Sequence, residues 1–224
     1  MRRFAYENGL SLVFLGLFLA AICLQALAGH ADFNEDQARH GDPDISLGRY
    51  VISSAFAVAV LENWQSEYLQ FALFVLLTVW LVQRGSPESK ELGKAGGESD
   101  SDQKIGPHAR RDSPNWAKAG GLRLQLYQNS LLIVMGLIWI GSWAAQSVTG
   151  VVEYNSDRLD HQETPVSWAD YLTRPDFWEK TLQNWQSEFL AVGSMAILAV
   201  YLRQRGSPES KPVGSSHHAT GVEG

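Results

Sequence analysis

The sequence predicts an all-α membrane protein: four transmembrane helices arranged as two tandem parallel-repeat hairpins, with short surface helices in the outer loops. Three observations predict it. The chain aligns with itself without a gap at an offset of 121 residues, and about 30 of the 85 paired positions from Tyr6 to Lys90 are identical. Residues 10–28 and 131–148 carry no charge, and each is about the length that crosses a hydrocarbon core of about 30 Å. The pentapeptide NWQSE stands before a further apolar run in each half, as Asn63-Trp64-Gln65-Ser66-Glu67 and as Asn184-Trp185-Gln186-Ser187-Glu188. The 45% hydrophobic content alone would suit a soluble protein, so segregation along the chain, rather than the average, sets the class.

The first apolar segment also imitates a secretory signal peptide, because Arg2 and Arg3 precede it and Ala26-Leu27-Ala28 resembles a cleavage site. The internal match argues for retention: Ser147-Val148-Thr149 holds the same place deep inside the chain, where no processing signal belongs. The second apolar runs, 68–82 and 189–202, cover only about 20–23 Å as helices and cannot span alone. Extending them back to Asn63 and Asn184 restores about 20 residues and places NWQSE at the rim of the bilayer. Trp64 and Trp185 then become interfacial anchors, with their indole N–H groups in the headgroup layer.

Between the helices, Ser167-Trp168-Ala169-Asp170 has the form of a capping box and predicts a short helix through Leu172; Pro175 suits the first turn of the next helix, which should run to about Arg203. Phe177, Trp178 and Leu182 are the residues expected to meet the short helix. QRGSPESK closes each half, at Gln83 to Lys90 and Gln204 to Lys211. Gly85 and Gly206 can take the left-handed conformation that ends a helix, and Pro87 and Pro208 forbid its continuation. Eight consecutive identities exceed what capping requires, which leaves a partner-docking role open beside the stop signal. The expected organisation is a first membrane repeat over 1–90, a flexible linker over 91–121, a second repeat over 122–211 and a disordered tail over 212–224.

Basic residues set the expected orientation. Thirteen Lys or Arg fall on the N-terminus, the linker region and the C-terminal end, and five (Arg39, Arg49, Arg158, Arg174 and Lys180) fall in the loops inside the repeats. This places both termini and the linker in the cytoplasm of a cell bounded by an inner, or plasma, membrane.

NWQSE followed by Tyr or Phe and then Leu, together with the terminal QRGSPESK, resembles an uncharacterised family of small bacterial membrane proteins, a domain of unknown function. The resemblance covers both repeats. It implies four transmembrane helices in a bacterial membrane and supplies no catalytic residue.

Little in the sequence points to chemistry. Cys23 is the single cysteine, so no intramolecular disulfide and no thiolate metal site can form. No Gly-rich phosphate loop, HExxH or GxSxG occurs, and His217-His218 in a Ser/Gly-rich tail reads as a solvated pair. No enzyme, no cofactor, no metal and no nucleic acid are expected. The lipid bilayer is the expected partner, and a homo-oligomer or another membrane protein stands open beside it.

The remaining lead is a polar layer at the rim. Asn63 and Glu67 are i,i+4 neighbours, as are Asn184 and Glu188, and Gln25 and Gln146 fall at a matching depth on the first helix of each half. The plain reading is hydrogen-bonding glue between helices; the functional reading is a paired-Glu proton or cation site in a small transporter or channel, with His40 and His161 able to titrate beside it. The expected function is therefore a non-enzymatic structural or partner-interaction protein of the membrane, with the transporter as the alternative.

Overall fold

In the computed structural model, residues 2–222 are described and all regular structure among them is helical, with no strand. Met1 and residues 223–224, the extremities of the expected first repeat and tail, lie outside the described residues. The main helices are α1 (Arg2–Glu7), α2 (Gly9–His40), α3 (Leu47–Tyr50), α4 (Ser54–Leu77), α5 (Gly121–Gln128), α6 (Ser130–Asp160), α7 (Trp168–Tyr171) and α8 (Pro175–Tyr201), with a 3₁₀ turn at Gly106–His108. The chain forms two compact units, residues 1–61 with 145–177 and residues 62–144 with 178–224.

The first unit holds α1 to α3, the start of α4, the end of α6, and α7. Helix α2 continues well past the charge-free stretch, to His40, because residues 29–40 favour helix until Gly41 turns left-handed at φ 83° and ends it. None of its described residues is buried; Leu10, Val13, Phe14, Leu17 and Leu24 all stand exposed. The two loops are built alike. Asn34 donates to the Ile45 carbonyl (3.0 Å) and accepts from the Ile45 amide (3.0 Å); Asn155 does the same with Val166 at 2.9 and 2.8 Å. Ser46 and Ser167 cap the short helices α3 and α7 by accepting from the amides three residues on. Ser167 is thus the N-cap that the sequence predicts, although the Asp170 carboxylate accepts from the Ser167 hydroxyl rather than closing the box on its amide, and α8 begins at Pro175 as expected.

Tyr50 and Tyr171 each lie across a glycine of the preceding long helix. A Cβ on Gly29 would strike the Tyr50 hydroxyl, and one on Gly150 would lie 2.7 Å from the Tyr171 hydroxyl. Only a bare backbone lets the rings in. Tyr50 packs against Phe33 (5.6 Å) and Phe56 (5.5 Å), and Tyr171 against Tyr154 (5.3 Å) and Phe177 (5.6 Å). Burial, with the charges of Asp32 and Glu153 adding to it, raises the Tyr50 hydroxyl above the ordinary tyrosine value.

The second unit holds the remainder of α4, α5, the first part of α6 and most of α8. Two boundaries differ from expectation. Helix α4 ends at Leu77 rather than near Val82: the Val79 and Trp80 amides bond three residues back, to the Leu76 and Leu77 carbonyls, in place of the four-residue ladder. Helix α8 ends at Tyr201, where the Arg203 guanidinium donates to the carbonyls of Ala199, Val200 and Leu202.

These boundaries bear on the membrane. Among the described residues two helices, α2 and α6, are long and apolar enough to cross a bilayer, against the four expected. In α4 and α8 the pentapeptide sits in mid-helix, and the mainly apolar helical stretch beyond it is short, 68–77 in α4.

Candidate functional site

The two NWQSE copies lie in the second unit, and identical residues take opposite burial. In the first, Gln65 has no solvent exposure and Ser66 is buried, while Asn63, Trp64 and Glu67 are exposed. In the second, Gln186 and Ser187 are exposed, and Asn184, Trp185 and Glu188 are half-buried. Local bonding is shared: Ser66 donates to the Asn63 carbonyl at 2.9 Å and Ser187 to the Asn184 carbonyl at 2.8 Å. The copies then meet through unlike residues, the Trp185 Nε1–H donating to Gln65 Oε1 at 2.7 Å. Gln65 in turn donates to the Glu62 carbonyl at 3.0 Å, so both ends of its amide are engaged.

The other sequence-predicted residues fall as follows. Asn184 donates to the Lys180 carbonyl (3.0 Å), and Glu67 and Glu188 are close enough for their charges to interact. Of the two glutamines expected at matching depth, Gln25 is exposed on α2, whereas Gln146 is only 2% exposed on α6 with its Oε1 lacking a hydrogen-bond partner. Both belong to the first unit. His40 and His161 each bond through Nδ1 to the carbonyl four residues earlier, Asp36 and Asp157.

QRGSPESK forms the same turn twice. The Gln83 and Gln204 amides donate to Ser89 and Ser210 Oγ, each at 2.9 Å, and Gly85 and Gly206 stand at φ 88° and 82°. The closing lysine reaches forward in both copies: Lys90 Nζ donates to the Gly96 carbonyl (2.8 Å), and Lys211 Nζ to the carbonyls of Ser216, His217 and Ala219 at 3.1–3.2 Å. Lys211 is 1% exposed, and burial, with Arg203 nearby, pulls its ammonium below the ordinary lysine value. The copies touch through Glu88 and Glu209, whose carboxyls share a hydrogen bond. Burial first, then that bond and the neighbouring charge, raise Glu88 from 4.5 to about 7. The contact therefore holds a proton between two carboxyls near neutrality.

A family model described as a domain of unknown function, DUF6766, matches residues 1–222. The chain belongs to this family. No curated protein and no solved structure gives a match.

Sequence reasoning missed two features of this DUF6766 chain. The first is an aromatic cluster around the second pentapeptide. Trp139 stacks on Trp143 (6.1 Å), Trp143 meets Trp178 (6.1 Å) and Trp185 (5.8 Å), and its Nε1–H donates to the enclosed Thr181 hydroxyl at 3.3 Å. The available signal was spacing: Trp139 and Trp143 are i,i+4, and Trp178 and Trp185 are i,i+7. The second is the tail. Thr220 Oγ1 accepts from the Gly85 amide at 2.9 Å, and the Gly221 amide donates to the Ser86 carbonyl at 3.0 Å. No group of three or more His, Cys, Asp or Glu able to hold a metal occurs among the described residues.

Proposed function

We propose that this DUF6766 chain is a non-enzymatic structural protein of a bacterial inner membrane, built from two repeats whose pentapeptides lock to one another. The single observation that carries the reading is the unburied apolar length of α2. A water-facing helix exposing Leu10, Val13, Phe14, Leu17 and Leu24 together would aggregate, whereas hydrocarbon is their natural solvent. Helices α2 and α6 are then spans. Helices α4 and α8 complete two hairpins by setting the Trp185 indole against the buried Gln65 amide, which satisfies polar groups that lipid could not. Both termini and the 91–121 linker lie in the cytoplasm, and the 41–53 and 161–174 loops lie outside.

Cysteine labelling tests this topology. In a Cys23→Ala background, Asp42→Cys and Glu163→Cys should react with a membrane-impermeant thiol reagent in intact cells, and Ser99→Cys and Ser216→Cys should react only after lysis. The reverse pattern overturns the orientation, and reaction at all four sites overturns the membrane reading.

One observation favours a second reading, a small proton- or cation-coupled transporter: Glu67 and Glu188 interact across the two helices. The double variant Glu67→Gln with Glu188→Gln separates the readings in vesicles. A structural role leaves proton flux at the lipid background in both proteins, with melting shifted by about 1 kcal/mol or less. A flux in the native protein that the variant loses while melting normally makes the transporter the better description.

A further inference from the structure

The two QRGSPESK copies share a sequence, a backbone turn and internal bonds, yet one is covered and the other open. Gly85, Ser86 and Pro87 are buried; Gly206 and Pro208 are exposed and Ser207 is half-buried. The cover on the first copy is the chain's own tail, held by the Gly85 amide donating to Thr220 Oγ1 (2.9 Å) and by the Gly221 amide donating to the Ser86 carbonyl (3.0 Å). The approach is close enough that a Cβ on Gly85 would strike the His217 carbonyl oxygen. At Gly206 a Cβ would meet nothing within 4 Å.

The seated tail also states what such a surface selects. Its first residue must offer a hydroxyl oxygen to the glycine amide. Its second must donate an amide from left-handed backbone, since Gly221 stands at φ 69° and a Cβ there would lie 3.0 Å from the Ser89 carbonyl oxygen. A Ser/Thr–Gly step meets both demands. Among the described residues one Ser/Thr–Gly step is seated on a receiving turn and two such turns stand ready, and a second copy of the chain brings that step already engaged by its own first turn.

We infer that the second octapeptide, at Gly206, Ser207 and Pro208, is a docking surface for another protein that presents a Ser/Thr–Gly step, gripped by the Gly206 amide and the Ser207 carbonyl as the first copy grips Thr220 and Gly221. The surface is independent of which way the protein faces across a membrane. Two backbone-directed hydrogen bonds over a small area make the contact weak and specific for backbone shape rather than charge.

The test uses the full chain in lipid nanodiscs and a fluorescent peptide of sequence SHHATGV, the sequence of residues 216–222. Saturable binding at one peptide per chain is expected, weakened about tenfold when the peptide's Thr is replaced by Val or its Gly by Ala. Gly206→Val in the protein should abolish binding, and Gly85→Val should leave it intact. The peptide replacements leave the protein untouched, so they decide the question even if a glycine variant folds poorly. Absence of saturable binding, indifference to the Thr and Gly replacements, or loss of binding with Gly85→Val but not with Gly206→Val would overturn the inference, the last by showing simple exchange with the chain's own tail.

Discussion

The two NWQSE pentapeptides are the same five residues on two long helices, and they face their surroundings in opposite ways. In the first, the amide and hydroxyl of Gln65 and Ser66 are enclosed while Trp64 looks out; in the second, Trp185 is drawn in between Trp143 and Phe189 while Gln186 and Ser187 look out. What stays constant is local, the serine hydroxyl bonded to the carbonyl three residues back. What differs is set by neighbours. The first half has Phe18, Ile22 and Ala57 where the second has Trp139, Trp143 and Trp178, so only the second helix pair can build an aromatic nest for its pentapeptide indole. A repeated motif therefore fixes a hydrogen-bonding vocabulary, and the surrounding side chains decide which of its members are used.

Three changes press on this difference, beginning with the largest effect. Trp185→Ala removes the ring contacts and leaves the enclosed Gln65 oxygen without its donor, so it should cost about 3 kcal/mol or more, whereas Trp64→Ala should cost about 1 kcal/mol. Chemical denaturation in detergent measures both; equal losses would mean that the two copies are used alike. Next, Gln65→Ala strands the Trp185 indole N–H and should destabilise by about 1–3 kcal/mol, while Gln186→Ala at its exposed position should stay within about 0.5 kcal/mol.

The smallest effect concerns pH and the other repeated motif. Glu88 is held above its ordinary value, at about 7 against 4.5, so the folded state binds a proton that the unfolded state has already released between those values. Stability from the Glu88–Glu209 contact is therefore complete below about pH 4.5, falls as pH rises toward 7, and changes little beyond. Glu88→Gln, which keeps a donor to Glu209 without the titration, should flatten that slope in melting temperatures measured from pH 5 to 8. An unchanged slope would show that the pair does not govern it.

Much of the fold was legible because local chemistry dictated it. The charge-free runs became α2 and α6, Ser167 capped a helix with Asp170 at its third position, Pro175 opened α8, and Gly85 and Gly206 took the left-handed turns their sequence asked for. The end of α4 was not legible, since residues 68–82 read as one apolar run and no glycine or proline marks the stop at Leu77. The candidate site divided along the same line. Glu67 and Glu188 hold matching positions that the repeat made plain, but Gln65, the residue that joins the copies, has the same sequence neighbours as the exposed Gln186 and gives no local sign of its role. Tail docking at Gly85 spans more than a hundred residues and leaves no periodic signature at all.

The asparagine clips bear on how such a chain is made. The clips that close the first loop, Asn34 with Ile45, Ser46 with the Arg49 amide, and Tyr50 over Gly29 and against Phe33, lie within about twenty residues of chain. The second loop repeats this between Gly150 and Tyr171. Short closures of this kind form rapidly and need nothing from downstream sequence. As the ribosome delivers the chain, the first loop has these clips in hand once Phe56 has emerged, before α6 or α8 has been synthesised, and biogenesis can proceed one locally closed loop at a time.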